Sequence, residues 1–141
     1  MTFLLDTNVV SDLRRTRPHG AVLAWRRSVP LHQLVIPGIV IAEIQDGIEI
    51  TRTQDPPKAR ELESWLDGLM GYYTILPADG TIFREWARLM RGKSDSLSAD
   101  AMIAATARVM RLIVATRNVR DFEPFKVEVF NPFGYSREEG S

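Results

Sequence analysis

The chain contains no cysteine. Disulfides and thiolate-held metals are therefore excluded, and any bound metal must rest on oxygen or on the two histidines, His19 and His32. That donor set favours a hard cation. No apolar run approaches the roughly eighteen residues of a membrane-spanning helix. The opening MTFLLDTNVV lacks the basic region, apolar core and cleavage site of a secretion signal. A soluble, cytoplasmic protein is expected. An excess of either charge is also lacking, with 18 Lys and Arg against 18 Asp and Glu, so no global field draws the chain to nucleic acid. There is no internal repeat, low-complexity segment or linker long enough to separate two domains. The 141 residues, 45% of them hydrophobic, suffice for one domain with a real core. That domain is expected over residues 1–135, with a short flexible tail at 136–141.

Short apolar strands alternating with amphipathic helices make up the rest. Residues 2–5 read as a buried strand ending at Asp6. Thr7 or Asn8 is the expected cap of a helix through Leu13, and residues 20–28 form a second helix. Residues 33–36 are a strand, and Pro37-Gly38 opens a helix carrying Glu43. Residues 51–57 break that helix. From Ala59 a stripe of Leu62, Trp65, Leu66, Leu69 and Met70 marks the next, followed by a strand at 72–76. Ile82, Phe83, Trp86, Leu89 and Met90 repeat the stripe until Gly92, and Ser98 is the expected cap of a helix to Met110. Strands at 112–115 and 127–130 complete the pattern. Alternation of this kind implies right-handed crossovers and an α/β fold, a parallel sheet of about five strands flanked by helices on both faces. Ligands of such sheets bind beyond the carboxyl ends of the strands.

Several acids and one amide map to that edge. Asp6 ends the first strand, Asp100 lies in the first turn of its helix, Asn118 and Asp121 follow the fourth strand, and Glu43 sits in the helix leaving the second. Taken singly, each has an ordinary explanation: turn former for Asp6 and Asp121, helix-dipole partner for Asp100, solvated surface for Glu43. Together they form a carboxylate cluster that a cation such as Mg2+ or Mn2+ would neutralise, and such an ion can activate water against a phosphodiester.

Four blocks make the pattern specific. Leu4-Leu5-Asp6-Thr7-Asn8, Ala42-Glu43-Ile44, Asp100 through Ala107, and Val114-Ala115-Thr116-Arg117-Asn118, ending in Asn131-Pro132, resemble the ordered motifs of VapC-type PIN-domain toxins, including the FitB-like branch. The likeness spans about residues 2–133. It implies a single PIN-like domain with helices on both sides of its sheet, a Mg2+- or Mn2+-dependent endoribonuclease, a homodimer, and a cognate antitoxin protein. Asp6, Glu43 and Asp100 match the family's three main acidic positions. At the fourth, where many members carry Asp, this chain has Asn118, which offers a metal only its neutral carbonyl, and Asp121 is the alternative source of charge. Thr7, Asn8 and Thr116 match polar positions beside the acids, with helix capping as the plainer account.

Basic residues concentrate after the first strand, at Arg14, Arg15, Arg17, Arg26 and Arg27, and again near the acidic edge at Arg117 and Arg120. Arg14, Arg15 and Arg117 are candidates for RNA phosphates, although a solvated face or antitoxin contacts would explain them equally. The stripes holding Trp65, Leu66, Trp86 and Met90 suit the core, with any remainder left for a dimer interface. Neither histidine falls in a motif, so ordinary surface or core duty is expected of both. Two other functions compete: a phosphoryl-transfer or phosphatase domain using Asp6 as nucleophile, which Asn8 opposes by standing where such enzymes carry a second Asp, and a catalytically silent RNA- or protein-binding module.

Overall fold

The computed structural model describes residues 1–136. Its strands are β1 (Phe3–Leu5), β2 (Leu34–Pro37), β3 (Thr74–Leu76), β4 (Ile113–Ala115) and β5 (Val129–Phe130). They form one parallel sheet in the order β3-β2-β1-β4-β5. Successive residues of a strand point to opposite faces, yet every residue of β1, β2 and β4 is buried. Both faces of the central sheet are therefore covered, as its continuous Leu, Val and Ile runs require. The edge strands β3 and β5 are only partly buried.

The helices are α1 (Thr7–Arg14), α2 (Gly20–Ser28), α3 (Gly38–Arg52), α4 (Pro56–Tyr72), α5 (Gly80–Met90) and α6 (Ser98–Met110). Helix α3 pairs with α4, and α5 with α6. Helix α6 is buried continuously from Ala101 to Ala107, and its alanines let it lie close to its neighbours. The chain begins at the centre of the sheet, runs to one edge through β2 and β3, then crosses to β4 and the other edge. Connections thus leave β1 and β4 in opposite directions. Their adjacent carboxyl ends, carrying Asp6 and Thr116, form the switch point where open α/β sheets leave a crevice.

Several local expectations are corrected. Helix α1 is capped by Asp6, whose carboxylate accepts the Thr7 N–H at 2.7 Å, because the side chains of Thr7 and Asn8 are engaged elsewhere. Helix α3 continues to Arg52, which pairs with Glu49 at 3.0 Å and Glu63 at 2.7 Å. Helix α4 starts at Pro56 rather than Ala59, since Asp55 accepts the Lys58 N–H at 3.1 Å and the two prolines occupy positions whose N–H would go unpaired. The break between them shrinks to residues 53–55. Tyr72 completes α4, so β3 begins two residues later than expected. Strand β4 starts at Ile113 and β5 at Val129, each trimmed at its amino end. Ser98 is the first residue of α6, not its cap; a 3-10 turn, Asp95–Leu97, leads in, and the Ser98 carbonyl accepts the Trp86 indole N–H at 3.0 Å. Gly92 does end α5, with φ at +75°, where a side chain would be strained. The tail expected at 136–141 lies almost wholly outside the described residues.

Candidate active site

Asp6 stands at the switch point with 6% of its surface exposed. Its Oδ1 accepts the Thr7 N–H, while Oδ2 accepts the Thr116 hydroxyl at 2.7 Å and the Asn8 amide at 3.1 Å. Asn8 ties the two strand ends together, since its Oδ1 also accepts the Arg117 N–H at 3.0 Å. Thr116 is completely buried. Its single hydroxyl proton goes to Asp6, and its oxygen accepts from Asn8 at 3.3 Å and from the Asn118 N–H at 3.0 Å. Every hydrogen-bonding direction of Thr116 is thus in use. Asp6 Oδ2 is likewise occupied, and Oδ1 is the oxygen with accepting capacity to spare.

The remaining acids gather around this pair. Glu43, exposed on the second turn of α3, accepts the Thr7 hydroxyl at 2.8 Å, so Thr7 holds Asp6 by its N–H and Glu43 by its side chain. Burial, followed by the charges of Asp6, Asp121 and Glu43, pushes Asp100 up from the ordinary value near 3.8 to about 6. Burial also raises Asp6, with Asp121 adding to the effect and the Thr116, Thr7 and Asn8 hydrogen bonds opposing it. Four carboxylates, from the end of β1, from α3, from α6 and from the 3-10 segment Val119–Phe125, therefore share one field. Among the described residues, none of the four forms an ion pair with Lys or Arg. As their side chains stand, no three His, Cys, Asp or Glu of the described residues are grouped to ligate one ion. Like charges favour such separation, and Glu43 is turned onto Thr7. Asn118 is exposed and donates its backbone N–H to Thr116; its neighbour Asp121 is exposed as well, in a segment anchored by the buried Phe122 and Phe125.

The candidate phosphate contacts fall in two places. Arg14, above the Trp65 ring at 5.9 Å, and Arg15, paired with Asp12 at 3.3 Å, line a cleft of about 600 Å3 shared with Arg17 and Lys58. A smaller cleft of about 260 Å3, holding Thr7 and Glu43, adjoins it through Arg14 and Trp65. Arg117 is separate, its guanidinium over the Phe133 ring at 4.4 Å. Trp65 thus faces a groove rather than belonging wholly to the core. Two shaping residues were not legible in the sequence. Asp12, buried at 6% exposure, accepts the His19 N–H at 2.9 Å and fixes the turn from α1 to α2; it sits on the apolar face of α1, the one signal that could have flagged it. Phe133 had none. His19 caps α2, its Nδ1 accepting the Ala21 N–H at 3.2 Å, and His32 is exposed in the 3-10 turn Leu31–Gln33 that leads into the amino end of β2.

No helix of the described residues is long and apolar enough to cross a membrane. The PIN domain family model matches residues 3–126. Toxin FitB of Neisseria gonorrhoeae is 34% identical over 138 residues, which cover 92% of this chain and 97% of FitB. VapC ribonuclease Y4jK of Sinorhizobium fredii is 34% identical over 140 residues, covering 92% of this chain and 96% of that protein. The crystal structure of FitAcB from Neisseria gonorrhoeae superposes with a TM-score of 0.81 at 33% identity, covering 94% of this chain and 99% of the matched one. The parallel sheet, the acids at its switch point and full-length similarity agree: the chain belongs to the PIN domain family, in the branch of the FitB and VapC toxins.

Proposed function

We propose that this chain is a Mg2+- or Mn2+-dependent endoribonuclease and the toxin half of a toxin–antitoxin pair. The observation that carries the proposal is the shared field of Asp6, Glu43, Asp100 and Asp121, acids from four separate elements, none paired with a cationic side chain among the described residues. An all-oxygen set of this kind fits a hard divalent ion, which when bound lowers the pKa of a water and stabilises a leaving oxygen. In this account Asp6 offers Oδ1, with Glu43 and Asp100 as the other principal metal ligands. Asp121 supplies the further charge, and Asn118 orients water or a neighbouring carboxylate. Thr116 and Asn8 hold Asp6 in one orientation, while Thr7 sets the approach of Glu43. Arg14, Arg15 and Arg117 bind RNA phosphates. The similarity to the FitB toxin and to a VapC ribonuclease supports both the RNA substrate and a cognate antitoxin. Self-association as a homodimer is part of the same proposal, with Phe83, 50% exposed on α5, offering apolar surface.

Phosphoryl transfer through Asp6 is disfavoured, because Asn8 occupies the place of a second acid and is itself bound to Asp6 and the β4 end. A silent binding module is the second reading, favoured by the neutral Asn118. Cleavage of a fluorescent single-stranded RNA panel separates them. Cutting in Mn2+ that is lost in EDTA and in Asp6→Asn supports the enzyme; intact RNA across the panel, bound but never cut, supports the silent module.

A further inference from the structure

Arg117 follows Thr116 directly, and its backbone N–H is held by Asn8, so its Cα is fixed at the acidic edge. Four carboxylates lie in that region, yet the Arg117 side chain pairs with none of them. It is drawn instead onto Phe133, with the guanidinium carbon 4.4 Å from the ring centroid. Stacking on an aromatic face leaves the guanidinium donors free at its rim while restricting the side chain, so less freedom is lost when an anion is bound. His19 meets the same ring, with centroids 5.3 Å apart and planes at 63°. Its Nδ1 accepts the Ala21 N–H, so the ring proton of the neutral form sits on Nε2, and His19 is exposed. Asp12 holds the His19 backbone in place. A cation and a second N–H donor thus meet on one aromatic ring, joined to the acidic edge through the backbone of Arg117, and neither is satisfied by a side chain of the acidic cluster.

We infer that Arg117 and His19, held on Phe133, form a clamp for an RNA phosphate neighbouring the scissile one, with Arg117 as the principal contact and His19 Nε2 as the second donor. Phe133 is a positioning residue that keeps Arg117 out of the carboxylate field. Direct pairing of Arg117 with Asp6 or Asp121 would cancel the charge a metal needs, and the stack prevents it. The clamp rests on the RNA-cleaving account of the acidic edge, but it predicts binding that does not require metal.

The test is anisotropy of a fluorescein-labelled single-stranded RNA in EDTA, at several salt concentrations, with cleavage kinetics in Mn2+ run in parallel. Arg117→Ala should weaken RNA binding about tenfold, the worth of one charge-assisted contact, and flatten the salt dependence by about one phosphate. Phe133→Leu, which keeps the charge but removes the stack, should weaken it roughly threefold to fivefold. Arg117→Lys should fall between wild type and Arg117→Ala, and His19→Gln should cost less than Arg117→Ala. In cleavage, Arg117→Ala should raise KM with kcat within about twofold. Binding unaltered by Arg117→Ala overturns the clamp even if the wild type cuts RNA. A drop in kcat at unchanged KM also overturns it, because Arg117 would then act on the reacting phosphate. Loss of antitoxin binding with RNA binding intact assigns the pair to a protein partner and overturns it likewise. If the wild type cuts nothing while binding still depends on Arg117, the clamp stands and the nuclease account falls.

Discussion

Replacing Asp100 by Asn should make the metal-free protein more stable and the metal-loaded protein inactive. Asp100 sits at about 6 against an ordinary value near 3.8, chiefly through burial and then through the charges of Asp6, Asp121 and Glu43. The folded chain therefore holds this proton more tightly than the unfolded chain does. Stability from this group is greatest below about 4, declines as pH rises towards 6, and carries its full penalty above that. The gap between the two values corresponds to at most about 3 kcal/mol. Partial contact with solvent reduces that to roughly 1–2 kcal/mol. Asp100 in the first turn of α6 gains about 0.3–1 kcal/mol from the helix dipole, an opposing and smaller effect. Asn carries no charge, so in EDTA at pH 7.5 the variant should melt roughly 3–5 °C above wild type, a scale set by domains of this size. At pH 4 the two should melt together. Added Mn2+ should raise the wild-type midpoint at pH 7.5 and barely move the variant. Thermal unfolding followed by circular dichroism at both pH values, with and without Mn2+, decides it. A variant no more stable than wild type in EDTA at pH 7.5, or a difference of equal size at pH 4, refutes the electrostatic reasoning.

Thr116→Val removes a buried hydroxyl that serves Asp6, Asn8 and the Asn118 N–H; it should cost about 1–3 kcal/mol by urea unfolding and lower kcat at least about tenfold, with Thr116→Ser restoring most of both. Asp121→Asn should weaken Mn2+ binding by about tenfold, whereas Asn118→Ala should change it by less than about threefold, as isothermal titration calorimetry can show. Phe122→Ala empties a fully buried site under the Asp121 segment and should destabilise the protein by about 3–5 kcal/mol in denaturant titration.

The sheet was legible because β1, β2 and β4 are short unbroken apolar runs; Asp6 and Asp121 stood out because they lie just beyond such runs, and Glu43 and Asp100 because they lie in the opening turns of helices that start at the same edge. Their ordered resemblance to PIN-domain motifs drew Asp6, Glu43 and Asp100 together before any contact was visible, and left the fourth place open between Asn118 and Asp121. Boundaries were less legible where a side chain could do either of two jobs. Thr7 and Asn8 are good caps in isolation, but they hold Glu43 and the end of β4, and Asp6 takes the cap as well as its place among the acids. Asp55 with two prolines starts α4 ahead of its apolar stripe, which a search for periodicity cannot detect. The Arg117 and Phe133 pair joins residues sixteen apart across β5, a contact that no local pattern encodes. Asp12 was hidden differently, since an acid on an apolar helix face gives no hint that its partner is a backbone N–H seven residues on.

In the proposed function Asp6, Glu43 and Asp100 hold the divalent ion on which RNA cleavage depends. The decisive experiment titrates the protein with Mn2+, reads the free ion by electron paramagnetic resonance, and measures cleavage in the same samples. Mn2+ binding should saturate with a midpoint matching that of activity, and both should be lost in Asp6→Asn and Asp100→Asn. Cleavage that persists in those variants, or that reaches full rate before the protein takes up Mn2+, would contradict that assignment.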